Sequence, residues 1–529
     1  MKRRALAKKE SEPAKTPAVS FPLRVAAVDV GSNALRFLAA EFSSPGVFSV
    51  LASERVAVRL GHEVFLTGKL SKGAVDAAIQ ALCGFRKTVD KLKVGNVRAV
   101  ATSAVRESLN GADFAARARK EAKLELEVIS GFEEARLIHL AIRQRIPMGN
   151  QEWLLCDLGG GSVEVSLADG SGVLWSESHT MGAVRLLEEL SGGSEDPGRF
   201  MKLLEEYAST LQIPSAVGAK PRLGYIATGG NAEAIAALAG ERPGPRGVSV
   251  VPVAALRRLI EKLARLSYRE RITEMGLNED RADVILPAAI VYERLGQLAG
   301  GGVMHVPHVG LREGVLYDLV DCLTARNTHE SAQDQQALMS ATGLGRRYFF
   351  DEPHALHVAK LAASLYGQTT KLHNLGAVEM RILTAAAVLH DVGSYISFKS
   401  HHKHSWYIIA HSELPGFSPR EMLLAAAIAR YHRKGGPKPR HEEYAILTRE
   451  ERRKVDLLAG LLRLADALDR EHRQSVRAVF AREKNGAMEI SLDGDGDLLL
   501  ERWALRRKAD LFEKAFGVKI RVSPNGGKA

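Results

Sequence analysis

A chain of 529 residues is too long for a single core and predicts three or four domains. Its composition, 46% hydrophobic and 26% charged, excludes a disordered or fibrous protein, and no apolar run approaches the roughly 20 residues of a membrane-spanning helix, so no membrane partner is expected. The net charge of +11 favours a polyanionic partner; the scattered Cys83, Cys156 and Cys322 argue against a disulfide framework or zinc–thiolate site and fit a reducing cytoplasm.

In chain order, residues 1–20 predict a disordered basic tail without the apolar segment of a secretory signal. LRVAAVDV (23–30) is an apolar run closed by Gly31-Ser32-Asn33 and predicts a buried strand entering a tight loop. NALRFLAAEF resumes as a strand, another follows near 47–60, and a helix spans about 72–93. VRAVATSAVRE runs from strand into loop, LELEVIS is a short strand, and GFEEARLIHLAI opens a helix. The pattern then restarts: WLLCDLGGGSVEVSLAD is a second strand–glycine loop–strand unit, with Asp157 placed 128 residues after Asp29. A duplicated α/β body is expected, residues 21–145 and 146–322, with one phosphate loop per half and a cleft between them. RNTHESAQDQQ (326–336) looks like a linker. Residues 330–476 carry helical apolar spacing and hold ten of the 17 histidines between His354 and His441. Residues 477–529 return to a small α+β segment, strand-like through 501 and then helix and strand.

A glycine turn after a strand exposes consecutive backbone N–H groups that can cradle phosphate. DVGSN, DLGGGS and TGGN (228–231) all fit, and none is a Walker A loop because no Gly-Lys-Ser/Thr follows. Asp29, Asp157 and Glu164 are oxygen donors suited to Mg²⁺. Arg106 can neutralise a transferred phosphoryl group, with the Thr102 and Ser103 hydroxyls as donors. Hydrolysis also needs a carboxylate at the attacking water; Glu133 and Glu134 stand at a helix start, where glutamates also occur for capping alone.

AAVDVGSNALRFL, VAVRLG, ATSAVRESLNG, ISGFEEARLI, CDLGGGSVEVS, MGAVRL, ATGGN, RADVILPAAI and GLREGVLYD follow one another over residues 24–318. Together they resemble the exopolyphosphatase/guanosine pentaphosphate phosphohydrolase (Ppx/GppA) family. The resemblance implies an α/β protein with two actin-like (RNase H-like) ATPase-fold domains. It implies Mg²⁺-dependent release of orthophosphate from inorganic polyphosphate, or alternatively cleavage of guanosine pentaphosphate, with no specific nucleic-acid partner and a cytoplasmic homodimer. Glu134, not Glu133, is then the catalytic base and Arg106 the phosphate-contacting arginine. Asp157 and Glu164 belong to the magnesium and phosphate centre. Gly159, Gly160, Gly161 and Ser162, with Ser32 and Asn33, hold the terminal phosphates, and Gly229 and Gly230 form the third loop. Asn231 departs from the threonine more usual there.

In the helical region, His354, His390-Asp391 and Asp466 lie in the order of an HD phosphohydrolase, which they resemble. An all-α HD-type domain is implied, with these four as candidate ligands of a second divalent metal and His404, His411 and His432 downstream. His357 is expected on a helix face. YHRKGGPKPR (431–440) could widen a positive channel for a phosphate chain. Two other classes use similar loops: an ATP-dependent sugar or acetate kinase, and a sensor that binds polyphosphate or an alarmone without cleaving it.

Overall fold

The computed structural model describes residues 21–523 except 63, 192–196, 214–221, 301, 325, 413, 415, 434 and 485; the expected N-terminal tail lies outside the described residues. Strands β1 (Leu23–Val30), β2 (Ala34–Ser44), β3 (Val47–Ala57), β4 (Asn96–Ala101) and β5 (Leu126–Val128) form one sheet in the order β3-β2-β1-β4-β5. Strands β6 (Glu152–Leu158), β7 (Val163–Ala168), β8 (Val173–His179), β9 (Arg222–Thr228), β10 (Ser249–Pro252) and β11 (Val303–Val306) form a second, in the order β10-β11-β9-β6-β7-β8. Without β10 the two sheets share one plan: an antiparallel meander followed by two parallel strands. The duplicated loops therefore sit at equivalent corners of duplicated sheets.

β1 is buried on both faces except at Arg24, which explains its largely apolar sequence. Helix Lys72–Lys91, capped by the Ser71 side chain, covers one face with Val75, Ile79, Leu82 and Phe85. The other face meets helices Gly131–Ile142 and Leu311–Thr324. The second of these belongs by sequence to the second half, yet Leu311, Val315 and Leu316 pack with Val25, Ala27 and Leu38 of the first sheet. Residue 322 is consequently not a clean division between two cores.

The segment expected as a linker is helical, within Arg326–Arg347. It has no proline, and its first glycine is Gly343, so polarity alone does not break it. Beyond it, helices Glu352–Gln368, Ala377–Leu389, His401–Ala410, Pro419–Arg430 and Arg449–Ala467 form a bundle. A three-stranded sheet follows, β12 (Val476–Lys484), β13 (Ala487–Gly494) and β14 (Lys519–Val522), with helices Leu499–Lys508 and Asp510–Phe516 between the last two strands. Part of the expected strand-like stretch to 501 is thus the start of a helix. Val479, Ile490, Leu505 and Phe512 share one core with Leu458, Leu461 and Leu462, so the C-terminal segment is not a separate domain. Gly460 marks the contact: a Cβ there would stand 3.1 Å from Phe512 Cα. Among the described residues no helix is long and apolar enough to cross a membrane, and all three cysteines are free thiols.

Candidate active site

The hairpin β1–β2 pairs Asp29 with Arg36, and β6–β7 pairs Asp157 with Glu164. Each turn closes in the same way: Gly31 N–H donates to Ala34 O at 3.3 Å, and Gly159 N–H to Ser162 O at 3.0 Å. The cleft between them is lined by both turns, by Thr102 and Ser103, and by Gly229, Gly230 and Asn231 at the start of helix Gly230–Ala239. The loops touch, since a Cβ on Gly160 would lie 3.0 Å from the Ser32 Cβ. Ser32 and Ser103 share a hydroxyl hydrogen bond of 2.9 Å.

Gly161 differs from its neighbours. It packs against the Phe65 ring and gives its carbonyl to Arg185 Nε at 2.8 Å; the Arg185 guanidinium lies 4.0 Å over that ring. It braces the loop from behind and does not line the cleft. Asn33 Nδ2 reaches across to Asp280 O at 3.3 Å, and Asn231 Oδ1 accepts from Arg281 Nη1 at 2.9 Å. Arg36 and Arg281, neither of them a sequence candidate, also line the cleft. The signal for Arg36 was its place opposite Asp29 in the hairpin.

The carboxylates gather unevenly. One oxygen each from Glu134, Asp157 and Glu164 lies within 4.8 Å of the others, a group able to hold a metal ion. Asp29 lines the same cleft but is not in that group, whose third member is Glu134. Glu134 comes from the first turn of helix Gly131–Ile142, whose N-cap Ser130 accepts from Glu133 N–H at 3.2 Å. Glu133 faces elsewhere and is held by Arg136 at 2.7 Å and Arg98 at 3.3 Å. Gly131 allows this approach, because a Cβ there would lie 3.0 Å from Ser178 Cβ.

Glu164 Oε1 accepts from Ser162 Oγ (2.7 Å) and Ser178 Oγ (2.9 Å), and Asp157 accepts from Thr228 Oγ1. Arg106 Nη1 donates to Ile129 O at 2.9 Å and stands 3.5 Å from Glu134, with Nη2 3.9 Å from Glu164. Burial, followed by the Asp157 charge, pushes Glu164 up to about 7. Burial and then the Glu164 charge hold Glu134 well above the ordinary carboxylate range. Burial raises Asp157 too, and raises Asp29 to about 6. Glu134 Oε2 and Glu164 Oε2 are buried without a hydrogen-bond partner among the described residues. Mutually repelling, under-bonded carboxylate oxygens are a donor set that a hard divalent cation satisfies.

A family model for the Ppx/GppA phosphatase family matches residues 41–323, and one for Ppx/GppA phosphatase, domain III, matches 338–512. The chain belongs to the Ppx/GppA phosphatase family. It is similar to an exopolyphosphatase from Cytophaga hutchinsonii, at 28% identity over 56% of this chain and 98% of that one, with a TM-score of 0.53. It is also similar to the Aquifex aeolicus Ppx/GppA family member, at 27% identity over 56% of this chain and 97% of that one, with a TM-score of 0.47. Membership makes the protein a phosphohydrolase of a divalent-metal-dependent family. The domain III match runs across residue 476, in keeping with the single C-terminal core.

Within that core a second polar cluster is buried. His354, His390 and Asp391 present ligand atoms within 4.8 Å of one another, and so do Asp391, His401 and His432. Asp466 Oδ1 lies 3.8 Å from both His354 and His390, while its other oxygen is paired with Lys508. Burial pushes His390 down to about 4, keeping its ring neutral. His401 was missed because HHKH offers three histidines and only helix phase decides which face inward. His411 is exposed and bonded to Tyr407 O, away from the cluster. The 431–440 stretch borders a different depression through Gly436, Pro437 and Lys438, and does not widen the phosphate-loop cleft; Lys434 lies outside the described residues.

Proposed function

We propose that the cleft is an exopolyphosphatase site that releases terminal orthophosphate from inorganic polyphosphate with Mg²⁺. The observation that carries this is the buried Glu134 carboxylate, one oxygen unbonded, set between two phosphate loops beside Asp157 and Glu164. The likeness to an exopolyphosphatase supports it. The Ser32–Asn33 and Gly159–Ser162 turns cradle the terminal phosphates, and the Gly229–Gly230 helix start faces the same anion. Arg36 and Arg281 add positive charge along the cleft, which suits a chain of phosphates. Asp157 and Glu164, with Asp29 nearby, would hold magnesium, which supplies charge neutralisation to the phosphate oxygens when bound.

Glu134 orients a water and takes its proton as the water oxygen bonds to the terminal phosphorus. The bond to the bridging oxygen breaks, and the shortened chain departs with that electron pair. Arg106, beside Glu134, meets the charge that develops on the transferred group. We further propose that the helical domain is of HD type and holds a divalent metal at His354, His390, Asp391 and Asp466.

The test offers long polyphosphate, short polyphosphate and guanosine pentaphosphate in parallel, with magnesium. Polyphosphate should give the highest kcat/KM, and Glu134→Gln should lower phosphate release by about 10²–10⁴-fold while leaving binding intact. Unchanged release by that variant, or a clear preference for guanosine pentaphosphate, would overturn the proposal.

A further inference from the structure

Two glutamates stand side by side in the first turn of helix Gly131–Ile142, and the fold gives them different surroundings. Glu134 lines the cleft between the phosphate loops, whereas Glu133 lines a separate depression with Arg98, Arg136 and Asp318. Neighbouring side chains on a helix project about 100° apart, so turning this helix by one residue would exchange the two. The Glu134 carboxylate does little to prevent that. Its Oε2 is buried without a hydrogen-bond partner among the described residues, and Arg106 stands 3.5 Å away, too far for a firm hydrogen bond.

The grip lies on the Glu133 side. Arg136 Nε and Nη2 donate to the two Glu133 oxygens at 2.7 and 2.8 Å, a two-point contact with a defined orientation. A pair within one helix turns with it and cannot fix its rotation; bonds to other elements can. Arg136 Nη1 reaches Asp318 Oδ1 of helix Leu311–Thr324 at 2.9 Å. Arg98 closes the ring, with Nη1 donating to Asp318 Oδ2 at 2.5 Å and Nη2 to Glu133 Oε1 at 3.3 Å. Each carboxylate thereby meets both guanidiniums, and the Asp318 side chain is only 6% exposed. Arg98 belongs to β4, which leads into Thr102 and Ser103, and Glu127 of β5 holds it from the other side at 2.9 Å.

A second contact sets distance where the ring sets rotation. A Cβ on Gly314 would lie 1.9 Å from Leu137 O, so the two helices meet backbone to backbone four residues before Asp318. Both motifs concerned, FEEAR and GLREGVLYD, therefore carry residues that meet one another and not the phosphate loops.

We propose that Arg98, Glu133, Arg136 and Asp318 are positioning residues for Glu134: their ring locks the helix in the phase that turns Glu134 into the cleft. The inference rests on Glu134 as the base and goes beyond it in naming what holds the base in place. None of the four lines the phosphate cleft. Loss of the ring should therefore appear in kcat and spare substrate binding; a misplacement of about 1 Å costs on the order of 10²-fold in rate.

Asp318→Asn keeps the shape of the side chain and removes the charge that both arginines share. Polyphosphate hydrolysis with magnesium is measured for the parent, Asp318→Asn, Glu134→Gln and the double variant, and thermal unfolding establishes that each is folded. Asp318→Asn should lower kcat by about 10–10²-fold with KM within about twofold of the parent's. In the Glu134→Gln background the same substitution should cost less than about threefold, since no base remains to be misplaced. Equal losses in both backgrounds would overturn the proposal by showing a general structural defect, and so would an unchanged kcat in Asp318→Asn. Arg136→Lys, which keeps the charge and loses the fork, carries the same comparison if the asparagine variant does not fold. Full activity of Glu134→Gln alone would overturn the base assignment, and the positioning role with it.

Discussion

Asp29 lies at the mouth of the first phosphate loop with 8% of its surface exposed, and replacing it with asparagine should stabilise the cation-free protein in a pH-dependent way. Burial raises its carboxyl from 3.8 to about 6, although Arg36 and Arg312 pull it down; the Asp157 charge adds to the rise. Below pH 3.8 the folded and unfolded chains both hold the proton, and the group contributes nothing. Between 3.8 and 6 the folded state binds more protons than the unfolded, so stability falls as pH rises. Above 6 the full cost is present, about 3 kcal/mol at 1.36 kcal/mol per pKa unit. Asparagine cannot ionise and escapes that cost. In chelator at pH 8 the urea midpoint of Asp29→Asn should exceed the parent's by on the order of 1 M, and near pH 4 the two curves should coincide. Magnesium should narrow the gap at pH 8, because a bound cation neutralises the parent's carboxylate. Equal midpoints in chelator at pH 8, or a gain of the same size at pH 4, would refute the reasoning, the latter by showing a packing effect in place of a charge.

Ser178→Ala removes one of the two hydroxyls that favour ionised Glu164. Its carboxyl should rise further, and the acidic limb of the pH–rate profile should move to higher pH; an unmoved limb would show that Glu164 does not control it. Gly182→Ala drives a Cβ into the backbone of Gly160 and Gly161, which cannot yield without displacing the second loop. Phosphate release should fall by about 10²-fold with the circular dichroism spectrum unchanged, and normal release would sink the assignment of that loop to the site. Phe512→Ala empties a fully buried position shared by the bundle and the C-terminal sheet and should lower bundle stability by about 3–5 kcal/mol. A separate early transition of the C-terminal residues in calorimetry would contradict the shared core.

The sheets were legible because their evidence is local. LRVAAVDV is apolar except at Arg24 and Asp29 because both faces of β1 are covered, and the 128-residue offset between Asp29 and Asp157 extends to Gly31 and Gly159, whose turns close alike. What escaped depends on which surfaces meet. Helix Leu311–Thr324 carries apolar residues without a clear stripe, so its sequence does not name the first sheet as its partner. Gly160 and Gly161 are identical letters, and only Phe65 behind the loop separates the one that meets the cleft from the one that braces it. His390-Asp391 stood out as a dipeptide, whereas His401 and His432 become its partners only once three helix ends converge. RNTHESAQDQQ resembles a linker by its polarity, yet polarity alone does not end a helix, and no proline or glycine lies in that segment.

Duplication alone would have made a symmetric cradle, two glycine turns offering the same N–H groups to the same anion. Hydrolysis needs the two sides to differ. The difference lies at one position of the repeated hairpin, where Arg36 stands opposite Asp29 and Glu164 stands opposite Asp157. The first half thereby places a guanidinium where the second places a carboxylate, an asymmetry that the proposed reaction would use. Glu134 completes the asymmetry from across the boundary. It is carried by a helix of the first half, and the bare Cα of Gly131 lets that helix approach Ser178 closely enough for Glu134 to join Asp157 and Glu164. A side chain at position 131 would press on Ser178 and strain the approach that brings Glu134 beside Asp157 and Glu164.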